Sequence, residues 1–194
     1  MKKQLNDVLK EVKQDKKDNP STTSFKFKTD IWEYFNDSKD QTVVEFGTHI
    51  GQTTRILSFL FKKVYTINNN ENIKAKELNK DRTNITYLNH DLYSGKLPPI
   101  QDEINVFFID AIHETETVIS DINTAFSLNC CPECYIIFDD YGLMPSVKLA
   151  VYEALNNKSL TLVKYIGHSP GHDFGQGRIL FDYEGLITKV NFQQ

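Results

Sequence analysis

The sequence predicts an α/β fold, a doubly wound arrangement around a mostly parallel sheet, and three observations carry that expectation. Short apolar runs alternate along the chain with segments whose apolar residues recur at helical spacing. The runs are continuous, as strands covered by helices on both faces must be. Polar or acidic residues stand at or just past the ends of five such runs: Glu45 with Gly47, Asn68, Asp91, Asp110, and Asp139 with Asp140. Sheets of this class bind ligands outside the carboxyl ends of their strands.

Each element has its own signature. Residues 1–19 are rich in Lys and Asp, and Leu5, Val8, Leu9 and Val12 recur at helical spacing, so this is an amphipathic helix that lies on the core or on a partner chain, ending before Pro20. A second short helix is expected over residues 30–36, with Ile31, Trp32 and Phe35 on one side. The strand TVVEF (42–46) leads through a glycine-containing turn into a helix over 53–61. The strand VYTI (64–67) leads into a helix opening near Asn70. ITYL (85–88) is followed by a link with Pro98 and Pro99 that is too short for a full helix, and then by the strand INVFFID (104–110). Val118, Ile119, Ile122, Ala125 and Phe126 mark a helix, YIIF (135–138) a strand, and Val147, Ala150, Val151, Ala154 and Leu155 another helix. Two last strands are expected near residues 160–165 and 178–183.

Size and charge narrow the function. The 194 residues fit one domain. With 22 basic against 26 acidic side chains the formal charge is −4, which leaves no global basic footprint for a nucleic acid. No apolar run approaches a membrane span and MKKQLNDVLK lacks a signal-peptide core, so a cytoplasmic location is expected. Three cysteines crowded into CCPEC (130–134) do not make a disulfide framework, and one CxxC without a second ligand pair makes only half a zinc site. They read as reduced, partly buried thiols in the turn before the fifth strand.

The motif EFGTHIGQTT (45–54) places two glycines between a strand and a helix. It lacks the further glycine of a dinucleotide fingerprint, and an acid before the first glycine repels phosphate while suiting an ammonium group. The adjacent carboxylates of FDDYG (138–142) converge only if the chain turns there, and Asp110 at a neighbouring strand end supplies a third oxygen. Three carboxylates suit a hard cation such as Mg²⁺. His113 lies three residues past Asp110 and is placed to act as a base near neutral pH, or to be a satisfied structural histidine. The loop GHSPGHDFGQG (167–177) emerges on the same edge if the strand before it is parallel, which makes His168, His172 and Asp173 candidate substrate contacts or a lid.

Taken together, ExGxxxG at 45–51, IDAIH (109–113), and FDDYG followed by VKLAVYEAL (147–155) resemble the class I S-adenosylmethionine-dependent methyltransferases, and within them the small metal-dependent O-methyltransferases of the macrocin type, which act on sugars of natural products. The likeness spans roughly residues 40–165. It implies a Rossmann-like seven-stranded sheet with one antiparallel strand. It also implies a cofactor site in which Glu45 holds the methionine ammonium, Gly47 lets the backbone approach, Thr48 and Gly51 complete the turn, and Asp91 faces the adenine amine. Asn68 stands where the family usually has an acid for the ribose hydroxyls, and Asp110 borders both cofactor and metal. The implied metal ligands are Asp110, Asp139 and Asp140, and the implied catalytic pair is Asp110 and His113. The expected partner is a small hydroxylated acceptor, with no nucleic acid and no membrane, and self-association stays open. Two other readings stay open as well: a nitrogen- or protein-methylating relative, and a catalytically silent module acting through a partner.

Overall fold

Strand and helix alternate from residue 42 onward because the apolar pattern alternates. The computed structural model describes residues 4–11, 22–175 and 177–192. The elements are α1 (Leu5–Glu11), α2 (Phe25–Tyr34), β1 (Thr42–Phe46), α3 (Gln52–Leu60), β2 (Lys63–Asn68), α4 (Ile73–Leu78), β3 (Ile85–Asn89), β4 (Ile104–Ile109), α5 (Thr115–Ser127), β5 (Cys130–Phe138), α6 (Pro145–Asn156), β6 (Leu160–Ile166) and β7 (Gly185–Val190). One seven-stranded sheet has the order β3-β2-β1-β4-β5-β7-β6. β7 is antiparallel to both of its neighbours, and every other pairing is parallel.

Both faces of the sheet are buried along its central strands, while the edge strands β3 and β6 are partly exposed. Within β1, Val44 and Phe46 join the core under α5 and α6, whereas Val43 joins the core under α1, α2 and α3. Neighbouring residues of a strand point to opposite faces, so a strand with a core on each side must be apolar throughout. All five residues of β1 are buried, including Glu45.

The N-terminal helix lies on the core. Val8 and Leu9 are buried against α3, and Arg55 of α3 reaches Glu11 at 2.6 Å. The expected continuation through Val12 to residue 19 lies outside the described residues.

Three expectations are corrected. The second helix begins at Phe25, five residues before the predicted start, because Ser24 caps it: its hydroxyl accepts the Phe27 N–H at 2.9 Å. Trp32 is only half-buried there, while Phe27 and Ile31 are fully buried. CCPEC is not a turn but the first part of β5, with Cys131 and Cys134 buried and Cys130 half-buried, all as free thiols. Finally, RILFDY (178–183) is not a strand. The last strand is GLITKV, and the segment before it packs across the turn after β5, where Phe181 N–H donates to the Gly142 carbonyl at 2.9 Å. Gly142 permits this crossing, since a Cβ there would sit 2.2 Å from the Asp182 carbonyl oxygen.

Candidate functional site

β1, β2, β3, β4, β5 and β6 all run in the same direction, so their carboxyl ends share one edge of the sheet. A cleft of about 490 Å³ opens along that edge. Three hydrogen bonds continue the ladder past the strand ends and bring the loops together: Gly47 N–H to Ile67 O, Asp110 N–H to Phe46 O, and Asp139 N–H to Ile109 O. Gly47 has φ 97°, and a Cβ on it would lie 1.9 Å from the Asp110 carbonyl oxygen. Only glycine lets the loops after β1 and β4 approach this closely.

The sequence-predicted residues divide into those on the cleft wall and those beneath it. Gly47, Asn68, Asp91, Asp110, His113, Asp139 and Asp140 line the cleft. Glu45, Thr48 and Gly51 lie beneath. The Glu45 carboxyl accepts hydroxyl hydrogen bonds from Thr54 and Thr66, both at 2.5 Å, and Thr66 in turn pairs with Thr48 at 2.7 Å. Burial raises Glu45 to about 8, against the pull of those two hydroxyls. Gly51 starts α3 with φ 81°, and its missing side chain makes room for α4, since a Cβ would meet that of Ala75 at 2.7 Å. Asn68 donates its amide to Asn72 at 3.2 Å, and the Asp91 carboxylate accepts the Tyr93 N–H at 2.9 Å.

The predicted triad of Asp110, Asp139 and Asp140 is not the set that converges. Asp110, His113 and Asp140 each bring one ligand atom within 4.8 Å of the other two. His113 Nε2 lies 3.3 Å from Asp110 Oδ1 and 3.4 Å from Asp140 Oδ2. Asp140 has φ 56°, so the strand's alternation ends there and its carboxyl swings toward His113, while Asp139 keeps the buried direction. Burial, and then the charges of Asp110, Asp140 and Glu184, hold the Asp139 carboxyl well above its ordinary range. Asp140 is raised to about 6, first by burial and then by Asp110. The hydrogen bond to Asp110, helped by the charge of Asp140, raises His113 despite its burial. Neither carboxylate caps α6, whose N-cap is Met144 without a side-chain bond.

Sequence reasoning misses the roof of the cleft. Thr22 and Thr23 before α2, together with Phe174, Arg178 and Glu184 from the long loop before β7, also line it. Glu184 clasps the two: its carboxylate accepts the Ser24 N–H at 2.8 Å, the Ser24 hydroxyl at 2.6 Å and the His168 N–H at 3.0 Å. The loop after β6 does reach this edge through Phe174, as the parallel direction of β6 requires, while His168, His172 and Asp173 are not among the residues that line the cleft. His168 and His172 stack on each other at 3.6 Å, and Asp173 accepts the Gly175 N–H at 2.7 Å. The available signals were Ser24 as a helix cap and Arg178 as a cation directly after the glycine-rich stretch.

No protein-family model matches the chain, and no curated protein matches it in sequence. Solved structures do. A Klebsiella pneumoniae protein described as an O-methyltransferase superposes with a TM-score of 0.65 at 14% identity, covering 97% of this chain and 90% of that one. A tRNA methyltransferase of Aquifex aeolicus gives 0.66 at 16% identity, over 96% and 76%. A Streptococcus mutans protein described as a methyltransferase, solved in complex with S-adenosylhomocysteine, gives 0.60 at 15% identity, over 82% and 94%. With this strand order, one antiparallel strand and these neighbours, the chain has the Rossmann-like fold of the class I methyltransferases.

Proposed function

We propose that this chain is an S-adenosylmethionine-dependent O-methyltransferase that methylates a hydroxyl of a small molecule, a sugar or nucleotide sugar, with help from a divalent cation. The observation that supports it is the meeting of Asp110, His113 and Asp140 directly beside the close backbone approach at Gly47. Groups suited to activate a hydroxyl thus adjoin a turn suited to a bulky cofactor. S-adenosylmethionine would supply the sulfonium methyl group, with Gly47, Asn68 and Asp91 on its side of the cleft. Glu45 would act from beneath, setting the turn through Thr48, Thr54 and Thr66.

Asp110 and Asp140 would hold the cation, which when bound lowers the pKa of an acceptor hydroxyl. Two carboxylate oxygens fit Mg²⁺, whereas an imidazole third ligand fits Mn²⁺ as well, so His113 either completes the cation site or takes the hydroxyl proton. Its hydrogen bond to Asp110 orients the ring for either task. The macrocin-type likeness of IDAIH and FDDYG favours a sugar acceptor. The acids of the cleft and the chain's net charge of −4 disfavour a polyanion, although the fold is shared with a tRNA methyltransferase.

The test is calorimetric titration with S-adenosylhomocysteine, then transfer of labelled methyl from S-adenosylmethionine to pools of sugars and nucleotide sugars. The expected result is saturable binding, and transfer that stops in chelator and returns with Mg²⁺ or Mn²⁺. No heat at millimolar ligand removes the enzyme reading, and full transfer in excess chelator removes the cation.

A further inference from the structure

Asp121 lies on the inner face of α5, fully shielded from solvent. Its Oδ1 meets no hydrogen-bond donor among the described residues. Its Oδ2 lies 3.4 Å from the Tyr93 hydroxyl, at the long end for such a bond. Burial lifts the carboxyl to about 7. A buried carboxyl with half of its capacity unmet is destabilising relative to an apolar side chain of similar shape. The packing of α5 gives no reason for that cost, because Val118, Ile122 and Ala125 beside it are ordinary core.

Tyr93 is the group that uses the carboxyl. Tyr93 lines the cleft beside Asp91 and Leu92, and its N–H is held by the Asp91 carboxylate at 2.9 Å. Its hydroxyl sits among the Ile112 backbone, Thr117 and Asp121. The turn after β3 is therefore tied at one end to Asp91 and at the other to α5.

We propose that Asp121 is a positioning residue that acts through Tyr93, and that Tyr93 is a specificity-determining residue for the base of the nucleoside cofactor. Pinned by its hydroxyl, the ring offers a fixed flat wall against which a planar base packs. The same tether holds Asp91, an acceptor for an exocyclic amine, at a set distance from that wall. This rests on the cofactor proposed above.

The experiment titrates S-adenosylhomocysteine, adenosine and inosine into the full chain and into Tyr93→Phe, Asp121→Asn and Asp121→Leu, with thermal melting alongside. Tyr93→Phe and Asp121→Leu are expected to weaken S-adenosylhomocysteine and adenosine about tenfold, the loss of one polar tether, and to narrow the preference for adenosine over inosine. Asp121→Asn, whose amide oxygen still accepts the tyrosine hydroxyl, stays near wild type. Asp121→Leu should melt no lower than wild type, since an unmet carboxyl is removed, so a loss of affinity without a loss of stability separates positioning from mere packing. Wild-type affinities and base preference in both Tyr93→Phe and Asp121→Leu would overturn the proposal while leaving the cofactor in place. Should Asp121→Leu fail to fold, Tyr93→Phe alone decides, because it deletes only the hydroxyl of a partly exposed ring. No binding by the wild-type chain overturns both this proposal and the cofactor.

Discussion

At Asp140 the backbone turns left-handed, and that single dihedral decides which carboxylate faces His113. Asp140→Asn is expected to keep S-adenosylhomocysteine binding and to lower methyl transfer by roughly 100-fold or more, through a lost cation ligand or a mispositioned base. Calorimetry and a transfer assay on the same preparation check it, and unchanged transfer would assign Asp140 a purely local role. The acid pair itself is legible in FDDYG, as are Asp110 and His113 at the next strand end. Which of the two acids joins His113 is not legible, because strand alternation predicts opposite faces and gives way only where φ changes sign. Glu45 shows a similar limit: its place before the glycine is readable, but its burial under the Thr54 and Thr66 hydroxyls depends on α3 and β2 packing around it.

Among the elements, the glycine turn divides its work between two residues that look equivalent in ExGxxxG. Gly47 makes room for the loop after β4, and Gly51 makes room for α4. Gly47→Ala should therefore destabilise the fold by more than about 1 kcal/mol, since the new Cβ meets a backbone carbonyl that cannot step aside. Denaturant unfolding measures this, and an unchanged midpoint would mean that the two loops separate freely. Strands covered on both faces announce themselves in the sequence as apolar runs, which is why β1, β2 and β4 stand within a residue or two of expectation. The exception is near the end of the chain, where RILFDY equals GLITKV in its number of aromatic and β-branched residues and still loses. Ile179 and Phe181 remain exposed in the loop, whereas Leu186 and Ile187 enter the sheet. Local propensity cannot see that the vacancy between β5 and β6 is filled by the later segment.

For the molecule as a whole, several acids are raised by burial, and this sets the sign of its pH dependence. Glu45 at about 8 and Asp121 at about 7 both stand above their ordinary values because of burial. In each case the folded state holds its proton more tightly than the unfolded chain does. The stability each contributes is fully present below the unfolded pKa and is lost as pH rises through the folded one. Asp140, at about 6, acts in the same direction. The melting temperature should fall between pH 5 and pH 9. Glu45→Gln, neutral at every pH and still able to accept from Thr54 and Thr66, should flatten the upper part of that fall. A melting temperature that rises across this range would show that these acids are ionised in the folded chain.

The position of β7 also fixes an order of events. It comes after the other six strands in sequence, yet it lies between β5 and β6, and among the described residues β6 pairs in the sheet only with β7. During synthesis the edge of β5, with YIIF in its second half, stays open until residues 185–190 leave the ribosome, and β6 has no strand to join before then. The clasp of Glu184 on Ser24 spans 160 positions of chain and forms in the same final stage. The growing chain thus carries a bare apolar strand edge from the emergence of β5 until that of β7, and the roof of its cleft closes only when β7 slides home.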